Sequence, residues 1–220
     1  MRFLDRVDAG RYLARELEPL RGQPGLLVLA LPRGGVPVAY EIARALSAPL
    51  DVFVVRKLGV PGREELAMGA VASGGVRVLN EDVIAALGPR APEAIEQAIR
   101  RETEELCRRE ERYRGARAFP DLAGRTVILV DDGLATGATM RAAARAVRQR
   151  RPARLIIAVP VASQTTCHEM LDEADDVVCG MIPEAFCGVG QFYENFRQTT
   201  DEEVQAYLGQ TGHQTTEPNE

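Results

Sequence analysis

The sequence predicts an α/β fold, a parallel twisted sheet flanked by helices with a small cap or hood. Three observations carry this reading. Short apolar runs such as Leu26 to Leu31 are bounded by Gly and Pro and flat in polarity, as strands buried on both faces of a parallel sheet are. Stretches of helical period separate them, and alternation of strand and helix is the mark of such sheets. Charged residues stand where the runs end, and ligands of open α/β sheets bind beyond the carboxyl ends of the strands.

In chain order, Phe3, Val7, Gly10, Ala14 and Leu17 recur at three- and four-residue steps, predicting a helix that stops before the turn residues Gly22, Pro24 and Gly25. Leu26 to Leu31 is the first strand, and Pro32-Arg33-Gly34-Gly35 leads from it into a helix ending at Leu46. Asp51 to Val55 reads as the second strand, ending in Arg56-Lys57. The glycine-rich stretch from Gly59 to Gly75 predicts a mobile loop and a short hairpin, a candidate lid. Residues 80–117 read as a helical insertion whose narrow stripe (Ile95, Ile99, Leu106, Tyr113) lies within many Arg and Glu, the pattern of a solvated surface helix with i,i+4 ion pairs. Strands follow at Thr126 to Asp131, Arg154 to Val159 and Asp176 to Cys179, separated by helices at Gly137 to Arg150 and Ser163 to Glu173. Residues 181–197 form the hood, and the polar stretch 209–220 is expected to be disordered, leaving one domain over 1–208.

Composition narrows the chemistry. A chain of 220 residues with 45% hydrophobic side chains supports one core. With 27 Lys and Arg against 32 Asp and Glu, the net charge of -5 leaves no general footprint for nucleic acid. Any phosphate must therefore be met by local groups. His168 and His213 are the two histidines, which excludes a multi-histidine metal site and a Ser/His/Asp triad, and His168 is read as structural. Cys107, Cys167, Cys179 and Cys187 lack C-x-x-C spacing and read as reduced, mostly buried and inert. No signal-peptide core follows Met1, and no apolar run approaches the roughly 18 residues of a membrane span, so a soluble cytoplasmic protein without membrane contact is expected.

The segment Val127-Ile-Leu-Val-Asp131-Asp132-Gly133-Leu134-Ala135-Thr136-Gly137-Ala138-Thr139-Met140 carries the chemistry. A buried strand delivers two carboxylates, which can accept hydrogen bonds from neighbouring sugar hydroxyls or help hold a hydrated divalent cation. The small-residue turn then opens a helix, where Ala135, Thr136, Gly137, Ala138 and Thr139 offer backbone N–H groups and hydroxyls to a phosphate. No Lys follows the glycine as in a Walker A loop, and D-D-G replaces the D-x-D of haloacid dehalogenase phosphatases.

Four apolar residues, two acids and a Thr/Gly/Thr loop resemble the phosphoribosyl pyrophosphate signature of the type I phosphoribosyltransferases, with one departure: Gly133 stands where that family usually has an aliphatic residue. The resemblance implies a parallel sheet with a hood and places further roles. Arg33, Gly34 and Gly35 correspond to a loop that binds pyrophosphate through backbone N–H groups, with Arg33 adding charge. Arg56 and Lys57 resemble a basic pair reaching pyrophosphate from the other side, and Gly59 to Ala67 a flexible loop closing over the centre. The segment Ile182 to Arg197 is similar to the base-binding segment of hypoxanthine-guanine phosphoribosyltransferases, which makes Phe186 the residue that stacks on the base and Cys187 to Val189 its backbone readers.

The activity so implied is magnesium-dependent transfer of a phosphoribosyl group from phosphoribosyl pyrophosphate to a nitrogenous base, with Asp131, Asp132, Arg33 and Lys57 as catalytic residues and Asp131 and Asp132 next to Mg²⁺. It requires neither histidine nor cysteine. A homodimer is the expectation the family supplies. The alternative is a non-catalytic sensor of phosphoribosyl pyrophosphate or a nucleotide on the same fold.

Overall fold

The computed structural model describes residues 2–60, 62–87 and 91–211. The elements are α1 (Arg6–Glu16), β1 (Leu26–Ala30), α2 (Gly35–Leu46), β2 (Leu50–Val52), β3 (Val55–Val60), β4 (Arg63–Ala72), β5 (Val76–Leu79), α3 (Glu81–Leu87), α4 (Ala91–Arg114), β6 (Thr126–Val130), α5 (Ala138–Gln149), β7 (Arg154–Val161), α6 (Gln164–Glu169), β8 (Asp176–Met181) and α7 (Asp201–Thr211). Five strands make a parallel sheet in the order β2-β1-β6-β7-β8, and β3-β4-β5 make a second, antiparallel sheet.

Side chains alternate across each strand, and the alternation sorts the core into two layers. Leu26, Val28 and Ala30 of β1, with Ile128 and Val130 of β6, face α1, α2, α4 and α7. Leu27 and Leu29, with Val127 and Leu129, face α5 and the second sheet. Burial on both faces explains why these strands read as unbroken apolar runs, each large side chain contributing roughly 1.5–3 kcal/mol. Gly10 lets α1 lie directly on α2, since a Cβ there would stand 2.7 Å from the Val38 carbonyl oxygen.

The topology puts β1 between β2 and β6, so the loops leaving β1 and β6 diverge from adjacent strands and open a crevice at the switch point. Leu31 N–H donates to Val130 O at 2.8 Å, holding these two exits together.

Several expectations are corrected. The second parallel strand ends at Val52, and Arg56-Lys57 lies inside β3, not at the tip of a parallel strand, because the chain leaves the parallel sheet at Phe53 and Val54. The glycine-rich stretch holds the expected hairpin but is mostly strand where a loop was expected: β3 pairs with β4 from Val55–Ala72 to Val60–Arg63, with register shifts around Gly59. Of the predicted flexible loop, Pro61 lies outside the described residues. The stripe on α4 is buried, with Ile99, Leu106 and Tyr113 in the core. Although i,i+4 pairs such as Arg109–Glu105 line its outer side, its end is pinned inward. Arg114 donates from Nε to Asp51 and from Nη2 to the Val52 carbonyl at 2.9 Å.

Residues 209–211, read as disordered, continue α7, which Val204 and Leu208 anchor in the core. Gln210 extends the attachment by accepting a hydrogen bond from Tyr40 at 2.8 Å. Residues 212–220 lie outside the described residues. The cysteines differ too: Cys167 and Cys179 form a disulfide, while Cys107 and Cys187 are free and exposed. The turn of the chain between α6 and β8 brings the paired cysteines to a Cα separation of 6.8 Å, a proximity that sequence spacing does not show.

Candidate functional site

At the end of β6 the two aspartates are held in different ways. Asp131 turns its Oδ1 to accept from the Asp132 N–H at 2.8 Å. Asp132 Oδ2 accepts from Arg6 Nε at 2.7 Å, and its backbone carbonyl accepts from the Tyr193 hydroxyl at 2.7 Å. The exit of β1 packs straight onto them. A Cβ on Gly34 would fall 2.1 Å from Asp132 Oδ2, and one on Gly35 would fall 2.9 Å from the Asp131 Cα, so only glycines let the two exits meet. The Pro32–Arg33 peptide within this loop is cis.

Burial raises the Asp131 carboxyl well above its ordinary value, and the neighbouring charge of Asp132 adds to the rise. Burial raises Asp132 as well, against the opposing pull of Arg6. Burial and the Asp132 charge push Tyr193 upward, so it stays a neutral donor.

Beyond the aspartates, Leu134 N–H donates to Val161 O at 2.9 Å, anchoring the turn to the neighbouring strand. Thr166 Oγ1 donates to the Ala135 carbonyl at 2.9 Å. Gly137 caps α5 at φ 69°, and a Cβ there would meet the Thr166 methyl at 2.8 Å. Thus α6 braces the turn from below while Ala135, Thr136, Ala138 and Thr139 stay exposed above. They line a concavity of about 140 Å³ at the N-terminus of the twelve-residue helix α5, where backbone N–H groups and the helix dipole suit an anion.

The remaining predicted residues scatter. Arg33 lies at the crevice with Nη1 3.8 Å from Asp201 of α7. Arg56 and Lys57 point to opposite faces of β3: Arg56 is taken by Glu102 of α4 at 2.7 Å, while Lys57 is exposed. They therefore do not point as a pair to one side. Phe186 stacks on Phe192 with ring centroids 5.7 Å apart.

Gly133 is explained by the hood. It has φ 156°, and a Cβ there would lie 2.6 Å from Val189 Cγ1. Val189 fills the room an aliphatic residue at 133 would take.

The sequence reading missed Arg6, and of the hood's aromatic cluster, Phe186, Phe192, Tyr193 and Phe196, it gave a role only to Phe186. Tyr193, which bonds the Asp132 carbonyl, stacks on Phe196 at 5.0 Å, and the Arg6 guanidinium lies 4.1 Å from the Phe196 centroid. The hood is shared between distant segments: Phe3 N–H donates to Phe192 O and Glu194 N–H to Phe3 O, both at 2.9 Å. One signal for Arg6 was present. Asp5 caps α1 by accepting from the Asp8 N–H, which puts a cation on the first residue of a helix, where the dipole disfavours it.

A profile of the phosphoribosyl transferase domain matches residues 7–197. The chain belongs to the phosphoribosyl transferase domain family. Two curated relatives from Mycobacterium tuberculosis, strains CDC 1551 / Oshkosh and ATCC 25618 / H37Rv, bear provisional names as phosphoribosyl transferases and are each 50% identical over 208 residues. The alignment covers 94% of this chain and 46% of each of theirs, so the chain spans about half the length of the curated relatives it matches. The crystal structure of TT1426 from Thermus thermophilus is similar with a TM-score of 0.82 and 45% identity, covering 94% of this chain and 98% of that one. Among the described residues, no helix of this phosphoribosyl transferase domain is long and apolar enough to cross a membrane.

Proposed function

We propose that the chain transfers the 5-phosphoribosyl group of phosphoribosyl pyrophosphate to a nitrogenous base, releasing pyrophosphate. The observation that carries this reading is the meeting of three elements at one crevice: two carboxylates at the tip of β6, an anion-suited turn a few residues further on, and the Gly34-Gly35 loop packed against the carboxylates. Their order, with the carboxylates between the turn on the β7 side and the loop on the β1 side, suits a ligand with a phosphate at one end, vicinal hydroxyls in the middle and a second phosphate group at the other.

In this reading the turn from Ala135 to Thr139 binds the 5-phosphate, and Asp131 and Asp132 accept from the ribose hydroxyls. The backbone N–H of Gly34, with the charges of Arg33 and Lys57, receives the pyrophosphate, whereas the Gly35 N–H already donates to the Leu31 carbonyl at 3.1 Å. Arg56 joins them only by leaving Glu102. Phe186 stacks on the acceptor ring. The bond from C1 to pyrophosphate oxygen breaks as an acceptor nitrogen bonds C1, so the ribose passes through an oxocarbenium-like state. No protein nucleophile is needed: the chain's work is alignment, exclusion of water and stabilisation of the leaving charge.

Magnesium fits as a cation carried chiefly by the substrate. One oxygen of Asp131 is engaged by the Asp132 N–H and one of Asp132 by Arg6, so the pair supplies fewer oxygens than a six-ligand shell requires. Among the described residues no group of three His, Cys, Asp or Glu could complete it. Asp131 and Asp132 would hold such an ion through its waters, and when bound it would neutralise pyrophosphate charge.

Pyrophosphate release, measured with phosphoribosyl pyrophosphate, magnesium and a panel of purines, pyrimidines and pyridine carboxylates, tests the reading. Turnover with one acceptor is expected, and its loss in Asp131→Asn/Asp132→Asn with an unchanged circular dichroism spectrum. A normal rate in that double variant would overturn the assignment, and binding across the panel without turnover would identify a sensor.

A further inference from the structure

We propose that Arg6 is a positioning residue of the phosphoribosyl site: it fixes the Asp132 carboxylate for the ribose hydroxyls and ties that orientation to the seating of the hood. The inference rests on the transferase reading above. It concerns a residue outside the matched segment, which begins at residue 7.

The Arg6 side chain is only 11% exposed. A cation that far from water needs partners, and three directions of its guanidinium are taken. In its plane, Nε donates to Asp132 Oδ2 and Nη1 donates to the Arg197 carbonyl, both at 2.7 Å. Across its plane lies Phe196, 4.1 Å from the guanidinium carbon to the ring centroid. Two in-plane bonds and one stacked face leave the group no free rotation, an arrangement that a planar fork can satisfy and a lysine cannot.

Helix stability does not account for this placement. Asp5 and Asp8 suit the first turn of α1, whereas a cation there opposes the dipole. What the position provides is reach, because α1 begins beside the tip of β6. Gly34 closes the other side: a Cβ there would approach Arg6 Nε to 3.3 Å as well as Asp132 Oδ2. Arg6 thus sits where the pyrophosphate loop, the sugar-binding carboxylate and the hood meet. Asp132 is gripped twice from the hood side, through its carboxylate by Arg6 and through its carbonyl by Tyr193. If Phe196 or Arg197 moves, the Arg6 fork moves, and the carboxylate loses its fixed direction.

The test compares wild type with Arg6→Gln, Arg6→Lys and Phe196→Leu. It reads phosphoribosyl pyrophosphate binding by titration calorimetry, KM for each substrate and kcat, with thermal melting as the folding control. Arg6→Gln is expected to weaken phosphoribosyl pyrophosphate binding and raise its KM by roughly 10- to 100-fold, the effect of losing a charge-assisted hydrogen bond. Acceptor KM should change less than that of phosphoribosyl pyrophosphate, since Phe186, which stacks on the acceptor, is not among the Arg6 partners Asp132, Arg197 and Phe196. Arg6→Lys should recover part of the loss, and Phe196→Leu should show the same pattern more weakly. Wild-type binding retained in a folded Arg6→Gln protein overturns the proposal and leaves the transferase reading intact. So does a change confined to acceptor KM, which would make Arg6 an acceptor contact. If the wild type neither binds nor turns over phosphoribosyl pyrophosphate, the transferase reading falls and this inference with it.

Discussion

Gly133 and Val189 share one space: the methyl groups of Val189 stand 2.6 and 2.9 Å from where a Cβ of Gly133 would be. The signature turn and the hood are therefore fitted to each other. Gly133→Ala should destabilise by about 1–3 kcal/mol through overpacking. Val189→Ala in the same chain should restore part of that loss, because it clears the clash but not the backbone conformation. Chemical denaturation of the single and double variants measures the coupling, and additive losses would mean that the two residues do not compete for room.

Asp131 gives a pH-dependent prediction. Its folded carboxyl titrates above the unfolded value near 3.8, so folding favours the protonated form. The stabilising contribution is therefore present at low pH and lost as pH rises from the unfolded value through the folded one. At neutral pH the ionised group opposes folding. Asp131→Asn should accordingly melt higher than wild type at neutral pH while losing transfer activity, and the difference should shrink on acidification. Melting curves across the acidic range check the slope.

Arg56 and Lys57 should separate cleanly. Arg56→Ala strands the Glu102 carboxylate, whose side chain is 9% exposed and retains only Arg101. A loss of about 1–3 kcal/mol in stability is expected. Lys57→Ala should leave the melting temperature within about a degree, as exposed substitutions do, and lower the rate with phosphoribosyl pyrophosphate. Identical stability losses in both variants would contradict the alternation along β3.

The disulfide is checked by labelling. Iodoacetamide applied to the native protein without reductant should modify Cys107 and Cys187 and spare Cys167 and Cys179, as read by peptide mass spectrometry. Reduction should lower stability by about 2–3 kcal/mol for a bridge between residues 12 apart in sequence.

Local signals were legible where chemistry is local. The β6 run, the acid pair and the Thr136-Gly137-Ala138-Thr139 turn lie in one contiguous stretch, and burial on both faces makes the strands visible as apolar runs. What stayed hidden depends on side-chain direction or on distant contacts. Arg56-Lys57 reads as one basic pair until strand alternation splits it. Phe186 was favoured by motif position, yet its partner is Phe192, while Tyr193 reaches the Asp132 carbonyl and Phe196 stacks on Tyr193 and Arg6 because the chain turns back onto Phe3 and Arg6. Cys167 of α6 and Cys179 of β8 meet only once the chain has turned between these two elements.

The strap between Phe3 and the hood has a consequence for how the molecule is made. The bond from Arg6 to the Arg197 carbonyl joins residues 191 apart. Closing so long a loop is slow in entropic terms, and synthesis delivers the two ends far apart in time. The parallel sheet and its helices other than α7 can pack while residues 182–197 are still unmade. The setting of Asp132 therefore ripens late, and a chain stalled before Tyr193 would hold much of its core with the Asp132 carbonyl still lacking its hydroxyl donor.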